Sequence, residues 1–237
     1  EDGRMSKMGV ETIVEHLKEL LMIARTKDCH DIRIFATASI RNIVNSEVVK
    51  VQIEDAIQHK IDLLDGSQEG IYGFEGLKRN IHLPIEGVSV DVGGGSTEIT
   101  HFKHDAIVNT ISIPIGSLNS YINHVQEVLP SEGEMMLMRI EIQNMLNQIT
   151  WLDKVKVPTM FGIGGSARAI VRIHQAQYDL EQSIFDLQMS QDILKSYIED
   201  ASNKPKVMGE LIVNNVPERL TTLIPGLIIL YEIMKKI

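Results

Sequence analysis

Apolar positions along the chain alternate between helical and strand spacing. Val10, Ile13, Val14, Leu17, Leu20, Leu21 and Ala24 recur every three to four residues, the period of an amphipathic helix. From Asp31 to Thr37 the period falls to two, with Ile32, Ile34 and Ala36 on one face, which predicts a short strand. A second helical stretch covers Val48 to His59. A strand from Ile61 to Leu64 stops at Asp65-Gly66, and a helix is predicted from Ser67 to Lys78. Such alternation is the mark of an α/β chain.

From Glu86 the texture changes to three β-rich segments in succession, Val88 to Val92, Ser96 to Lys103 and Ala106 to Ile113. The last two are separated only by His104-Asp105, so they predict an antiparallel hairpin. Pro130-Ser131-Glu132-Gly133-Glu134 reads as a helix start in which Ser131 and Glu134 form a capping box, with Met135, Met138, Ile142, Met145, Leu146 and Ile149 as core positions behind it. A strand at Thr159 to Phe161, a glycine turn and a helix from Ser166 follow. Further helices are predicted at Ile184 to Ile198 and Leu223 to Ile237. The passage from helical to strand patterning near Lys78 to Pro84 marks the domain seam. It divides the chain into residues 1–79 and residues 80–226.

The 237 residues, 43% of them hydrophobic, are enough to bury a core, and no apolar run approaches a membrane span. One cysteine, Cys29, excludes an internal disulfide and any multi-cysteine metal site, so the cytoplasm is the expected compartment. A net charge of −9 argues against nucleic acid as a partner, whose affinity comes from phosphate neutralisation by Lys and Arg. For the same reason a phosphate-rich substrate requires a bound cation or a local basic patch.

The candidate chemistry lies in glycine-rich segments. In Asp91-Val92-Gly93-Gly94-Gly95-Ser96-Thr97-Glu98 an acidic residue ends one strand, glycines turn the chain, and hydroxyls and a second carboxylate open the next strand. Glycines let backbone N–H groups converge on an anion, and Asp91 and Glu98 can hold a divalent cation beside it. The alternative is a plain glycine-rich turn. No lysine follows the last glycine before Lys103, so this is not a Walker A loop. A second loop, Gly162-Ile163-Gly164-Gly165-Ser166-Ala167, opens a helix and also fits the G-x-G-x-x-A dinucleotide pattern. Tyr178-Asp179-Leu180-Glu181 ends no second strand, which favours anion binding at a helix N-terminus over a dinucleotide site; the alternative is a tight turn that allows close packing. A third segment, Ala36 to Asn42, presents Thr37, Ser39 and Arg41 at a strand end; Ser39 reads equally as a helix cap. In the fourth, Asp65 to Gly70, Glu69 falls in the first turn of a helix, where pattern alone makes it a partner of the helix dipole. His30-Asp31 has no companion ligands and reads as surface.

Taken in order, Ala36-Thr37-Ala38-Ser39-Ile40-Arg41, Gly66-Ser67-Gln68-Glu69-Gly70, Val90 to Glu98, Gly162 to Ser166, and Glu218-Arg219 with Ile224-Pro225-Gly226 resemble the Ppx/GppA family of exopolyphosphatases and guanosine pentaphosphate phosphohydrolases. The resemblance implies an α/β, actin-like two-domain ATPase fold built on ribonuclease H-like sheets. It implies that Glu69 is the catalytic glutamate acting as general base on water, and that Asp91 and Glu98 organise Mg²⁺ (or Mn²⁺). Gly93, Gly94, Gly95 and Ser96 would cradle the terminal phosphate, with Arg41, Thr37, Ser39, Gly164, Gly165 and Ser166 as further phosphate contacts. The implied reaction is release of terminal phosphate from inorganic polyphosphate or guanosine pentaphosphate by a homodimeric enzyme; a weakly catalytic guanosine-polyphosphate sensor is the alternative, and an actin-like kinase a third. Lys103, Arg168, Lys204 and Lys206 read either as a path for a longer polyanion or as solvated surface.

The chain departs from the family pattern at Gln68 and Gly70, where members often have Glu and Ala, and at Ser166, where Thr is usual. It also has no counterpart of the family's N-terminal β-meander with its own phosphate loop, so the first domain is expected to be incomplete. The final helix, 227–237, is expected to pack back on that domain.

Overall fold

The computed structural model describes residues 3–185 and 187–237. Contacts divide it into two units, one reaching Gln68 and one from Glu69 to Ile237. The first unit holds α1 (Lys7–Thr26), β1 (Ile34–Ala36), α2 (Ala38–Arg41), α3 (Ser46–Ile57) and β2 (Ile61–Leu63). Ser6 starts α1, its Oγ accepting the Gly9 N–H at 3.1 Å. β1 and β2 pair in parallel with Ile34 opposite Ile61, and Val10, Leu21, Ile40, Val49, Ile53 and Ile57 form a small core against this ribbon. The strand predicted from Asp31 to Thr37 is shorter in the fold because its partner β2 offers only three residues to pair with.

The chain continues through α4 (Gly66–Asn80), β3 (Glu86–Val92), β4 (Thr97–Lys103), β5 (Ala106–Ile113), α5 (Ser117–His124), α6 (Glu132–Leu146), β6 (Met160–Ile163), α7 (Gly164–Tyr178), α8 (Gln191–Asn203), α9 (Pro205–Asn215) and α10 (Leu223–Lys236). The sheet order is β5-β4-β3-β6, with β3, β4 and β5 an antiparallel meander and β6 parallel to β3. His104 and Asp105, at φ 49° and 60°, make the two-residue turn of the predicted hairpin. The predicted capping box of α6 is present: the Ser131 Oγ accepts the Glu134 N–H at 3.4 Å, and the Ser131 N–H donates back to Glu134 Oε2 at 2.7 Å.

The side-chain period of two gives this sheet unlike faces. Val88, Val90, Val92, Ile99 and Ile113 lie on one face, in a core shared with Met138, Ile142, Leu146, Ile173 and Ile228 of the helices. Register places Ser89, Asp91, Glu98, Thr100, Thr110 and Ser112 together on the other. α4 packs on that polar face, with the Phe74 ring 5.1 Å from the Phe102 ring.

Three of the expected features can be set beside the structure. The seam is expected after residue 79; contacts divide the chain between Gln68 and Glu69, so most of α4, with Phe74 fully buried against the sheet, counts with the second unit. Within the second unit the last helix, α10, packs against α5, α6, α7, α8 and β3. Leu223 through Ile233 are all buried there, so α10 is a core helix rather than one that covers an edge. The helix predicted from Ile184 begins instead at Gln191, where Ser190 caps it through the Ile193 N–H; Asp186, inside that expected stretch, lies outside the described residues. α5 and α9 have no counterpart among the predicted elements.

Candidate active site

The loop between β3 and β4 is held from behind. The N–H groups of Ser117 and Leu118 at the start of α5 donate to the carbonyls of Gly93 and Gly94 at 2.8 and 2.9 Å, and Asn119 N–H also reaches the Gly94 carbonyl at 3.0 Å. The Asn119 Nδ2 donates to Gly95 O and Pro114 O at 3.2 Å each, while its Oδ1 accepts the Gly116 N–H at 2.7 Å. Gly116 must be glycine for this approach, since a Cβ there would stand 2.5 Å from the Gly94 carbonyl carbon. With the loop carbonyls spent on α5, the N–H groups of Gly94, Gly95 and Ser96 make no hydrogen bond among the described residues. That is the polarity of an anion cradle.

Asp91 and Glu98 are directly opposite one another on β3 and β4. Glu98 is 5% exposed, and both the Ser96 Oγ and the Ser112 Oγ donate to its Oε1, at 2.8 and 2.7 Å. Burial pushes Glu98 above the ordinary carboxylate range, the two serines pull it down, and the negative charges of Glu69 and Asp91 add to the rise. Asp91 rises for the same first reason, burial, with Glu69 adding to it and Arg168 opposing. Glu69 stands in the first turn of α4, which is set by a reciprocal cap: the Gln68 N–H donates to Asp65 Oδ1 at 2.8 Å and the Asp65 N–H to Gln68 Oε1 at 2.9 Å. The structure thus gathers the carboxylates of Glu69, Asp91 and Glu98 beside Gly93, Gly94, Gly95 and Ser96. Among the described residues no group of three or more His, Cys, Asp or Glu side chains is arranged to hold a metal ion.

The second glycine loop meets the first at Asp91. Gly164, at φ +81°, begins α7 with its Cα against the Asp91 carboxylate, leaving no room for a side chain. Gly165 has the guanidinium of Arg219 packed on it, so a cation stands at the N-terminus of α7. Arg219 was quoted as part of a motif but not expected as a site residue; nothing in its local pattern marks it, because the 3₁₀ turn Pro217–Arg219 delivers it from far along the chain.

Two expected phosphate contacts have other partners. The Ser166 Oγ donates to the Val92 carbonyl at 3.0 Å and is buried under Gly226 of α10, so it ties the two loops together. The hydroxyl of Ser96 belongs to Glu98, which leaves its backbone N–H for an anion. In the first unit, Thr37 sits at the N-cap of α2 without a side-chain cap bond, Ser39 is exposed, and Arg41 Nη1 donates to the Leu64 carbonyl at 2.7 Å. Lys103 and Lys204 pair with Glu86 and Asp200, at 3.1 and 2.8 Å.

A glycine loop with free N–H groups, set beside Asp91 and Glu98 on a β5-β4-β3-β6 sheet, marks an α/β protein with a candidate anion site. The chain belongs to the Ppx/GppA phosphatase family, whose model matches residues 1–237. It is 25% identical over 116 residues to Exopolyphosphatase 1 of Mycobacterium tuberculosis, covering 48% of this chain and 34% of that protein. It is 26% identical over 148 residues to the guanosine-5'-triphosphate,3'-diphosphate pyrophosphatase of Pseudoalteromonas translucida, covering 62% and 30%. These matches span about a third of the relatives' own length. Among solved structures, the Aquifex aeolicus Ppx/GppA family member superposes with a TM-score of 0.77 at 21% identity, covering all of this chain and 76% of that one. An exopolyphosphatase from Cytophaga hutchinsonii does so at 0.85 and 14%, covering 99% and 77%. These structures bear out the fold class expected from the sequence, the α/β, actin-like architecture of the family. No helix among the described residues is long and apolar enough to cross a membrane.

Proposed function

We propose that this protein hydrolyses a terminal phosphoanhydride of inorganic polyphosphate, guanosine pentaphosphate or both, by in-line attack of water. One observation carries the reading: N–H groups freed by the α5 clamp stand beside Asp91 and Glu98, two carboxylates raised by burial and by the negative charge of Glu69. Phosphoryl transfer asks a protein mainly to position water and neutralise the equatorial oxygens. Here Gly94, Gly95 and Ser96 donate to the terminal phosphate, Arg219 adds positive charge at the mouth of α7, and Glu69 takes the proton of the attacking water. The names of the relatives, an exopolyphosphatase and a guanosine pentaphosphate pyrophosphatase, support the substrate class.

A divalent cation fits this donor set. Two facing carboxylates that burial and the negative charge of Glu69 push up are relieved by a cation between them, and Mg²⁺ commonly binds through one or two carboxylates plus water and substrate phosphates rather than in a cage of protein ligands. Asp91 and Glu98 would hold it. When bound, Mg²⁺ or Mn²⁺ supplies charge neutralisation at the phosphate oxygens. It also resolves how a chain of net charge −9 receives a polyanion. We further propose that the active form is a homodimer.

The test is release of inorganic phosphate from each substrate, with Mg²⁺ and with chelator, by the protein and by Glu69→Gln. Metal-dependent release that Glu69→Gln reduces at least about 100-fold while substrate still binds is the expected result. Binding of guanosine pentaphosphate without release by the unmodified protein would make this a sensor. Transfer of phosphate to an acceptor other than water would make it a kinase.

A further inference from the structure

Gly70, next to Glu69, lies where α4 comes closest to the sheet. A side chain there would run into Thr110 Oγ1 and stand 3.0 Å from Thr100 Oγ1. These two threonines face each other across β4 and β5, and their hydroxyls hydrogen-bond at 2.9 Å, so neither turns aside without breaking the bond. They form a shelf in the row next to Glu98 and Ser112, two residues along the same strands and on the same face. The first turn of α4 therefore rests with bare backbone on a pair of hydroxyls, one row from the carboxylates.

We propose that Gly70, Thr100 and Thr110 are positioning residues for Glu69: the missing side chain at 70 and the hydroxyl shelf beneath it set the height at which the Glu69 carboxylate stands over Asp91 and Glu98. The positioning role rests on the reading of Glu69 as the base, whereas the contact itself does not. Effects follow from the geometry. A Cβ at position 70 forces the first turn of α4 off the sheet, and a displacement of about 1 Å at a reacting group costs on the order of 100-fold in rate. Removing Oγ1 of Thr110 makes the room: what remains of that side chain is its Cβ, 3.7 Å from the added carbon, and Thr100 Oγ1 loses the bond that holds it in place. Alanine is otherwise the better residue inside a helix, so a loss of stability in Gly70→Ala reads the contact and not the propensity.

The experiment compares Gly70→Ala, Thr110→Ala, Gly70→Ala/Thr110→Ala and Gly70→Ala/Thr110→Ser. For each, kcat and KM for phosphate release, the melting temperature and the crystal structure are measured. Gly70→Ala is expected to lower kcat about 10- to 100-fold with KM within about threefold, to lower the melting temperature and to lift Glu69 from the sheet. Adding Thr110→Ala is expected to restore all three, and adding Thr110→Ser, which keeps the hydroxyl, to restore none. Additive melting temperatures for the pair would overturn the contact. Coupled melting temperatures with an unshifted Glu69, or with unchanged kcat in an active enzyme, would overturn the positioning role. If the unmodified protein releases no phosphate from either substrate, the function fails, while the structures and melting temperatures still decide whether the shelf sets Glu69. If Gly70→Ala does not fold, recovery of folding by Thr110→Ala but not by Thr110→Ser supports the shelf, and recovery by neither refutes it.

Discussion

Glu98 and Glu232 are equally buried, 5% and 3% exposed, yet their surroundings drive them in opposite directions. Around Glu232 on α10, burial pushes the carboxyl up but is outweighed by Gln143 Nε2 at 2.8 Å and Arg139 Nε at 2.7 Å, with Lys235 Nζ at 3.3 Å adding charge, so it ends below the ordinary value of 4.5. Around Glu98 the donors are neutral serine hydroxyls, and the charges that reach it are those of Glu69 and Asp91, so burial prevails and it ends above 4.5. A fold that pairs one buried glutamate with cations and leaves another among carboxylates is storing a charge problem at the second. In the function proposed above, a cation bound between Asp91 and Glu98 would resolve it. The same contrast separates the faces of the sheet, since α10 closes the apolar side and α4 stands over the polar one.

The comparison is broken hardest at the site. Glu98→Gln is expected to abolish phosphate release, at least about 100-fold as for Glu69→Gln, whereas Glu232→Gln leaves kcat unchanged at 25 °C; a loss of kcat in the latter would erase the distinction. Next in size is Arg219→Ala, which removes the cation packed on Gly165 and is expected to raise KM for either substrate about tenfold, the scale of one charge-assisted contact. Steady-state kinetics checks both.

Stability separates the glutamates in the other direction. Glu232→Ala is expected to cost about 2 kcal/mol, less than a fully buried pair would because Arg139 is 37% exposed and water screens it. In a chain of this length each kcal/mol moves the melting temperature by about 2–4 °C. Glu98→Gln is expected to melt slightly above the unmodified protein at pH 7 without metal, since it removes a buried charge held among like charges.

The pH dependence sharpens this point with opposite signs. A carboxyl raised in the folded state contributes stability that is present below its unfolded value and lost as pH rises through the folded one. For Glu98 the gap between unmodified protein and Glu98→Gln should therefore be small below pH 4.5 and open above it. Glu232 is lowered, so its contribution is present above 4.5 and disappears as pH falls through its depressed value, where Glu232→Gln and the unmodified protein should converge. Thermal melts in metal-free buffer between about pH 3 and 8 read both.

Local chemistry was written plainly enough to be read in order. The hairpin at His104-Asp105, the capping box at Ser131 and Glu134, and the glycine loop between Asp91 and Glu98 each depend on residues within a few positions of one another. What escaped depended on distance. Ser112 reaches Glu98 only because β5 pairs with β4 in one particular register, and Arg219 reaches Gly165 across more than fifty residues of chain. The acceptors of the Ser166 and Ser96 hydroxyls, the Val92 carbonyl and the Glu98 carboxylate, are likewise set by the fold. The partners of the last helix within the second unit were not legible, because an apolar segment states that it will be buried but not against what.

The sequence by itself determined the succession of helices and strands, the family, and the identity of the carboxylates and glycines that converge, since periodicity, capping and backbone freedom act over one or two turns of chain. Tertiary structure decided that α4 belongs to the second unit, that α10 fills its core, that α5 takes up the carbonyls of the glycine loop, and that Gly70 rests on Thr100 and Thr110. Those outcomes turn on which surfaces meet, and the free energy of burying one apolar face against another depends on shape and area that no stretch of chain carries alone.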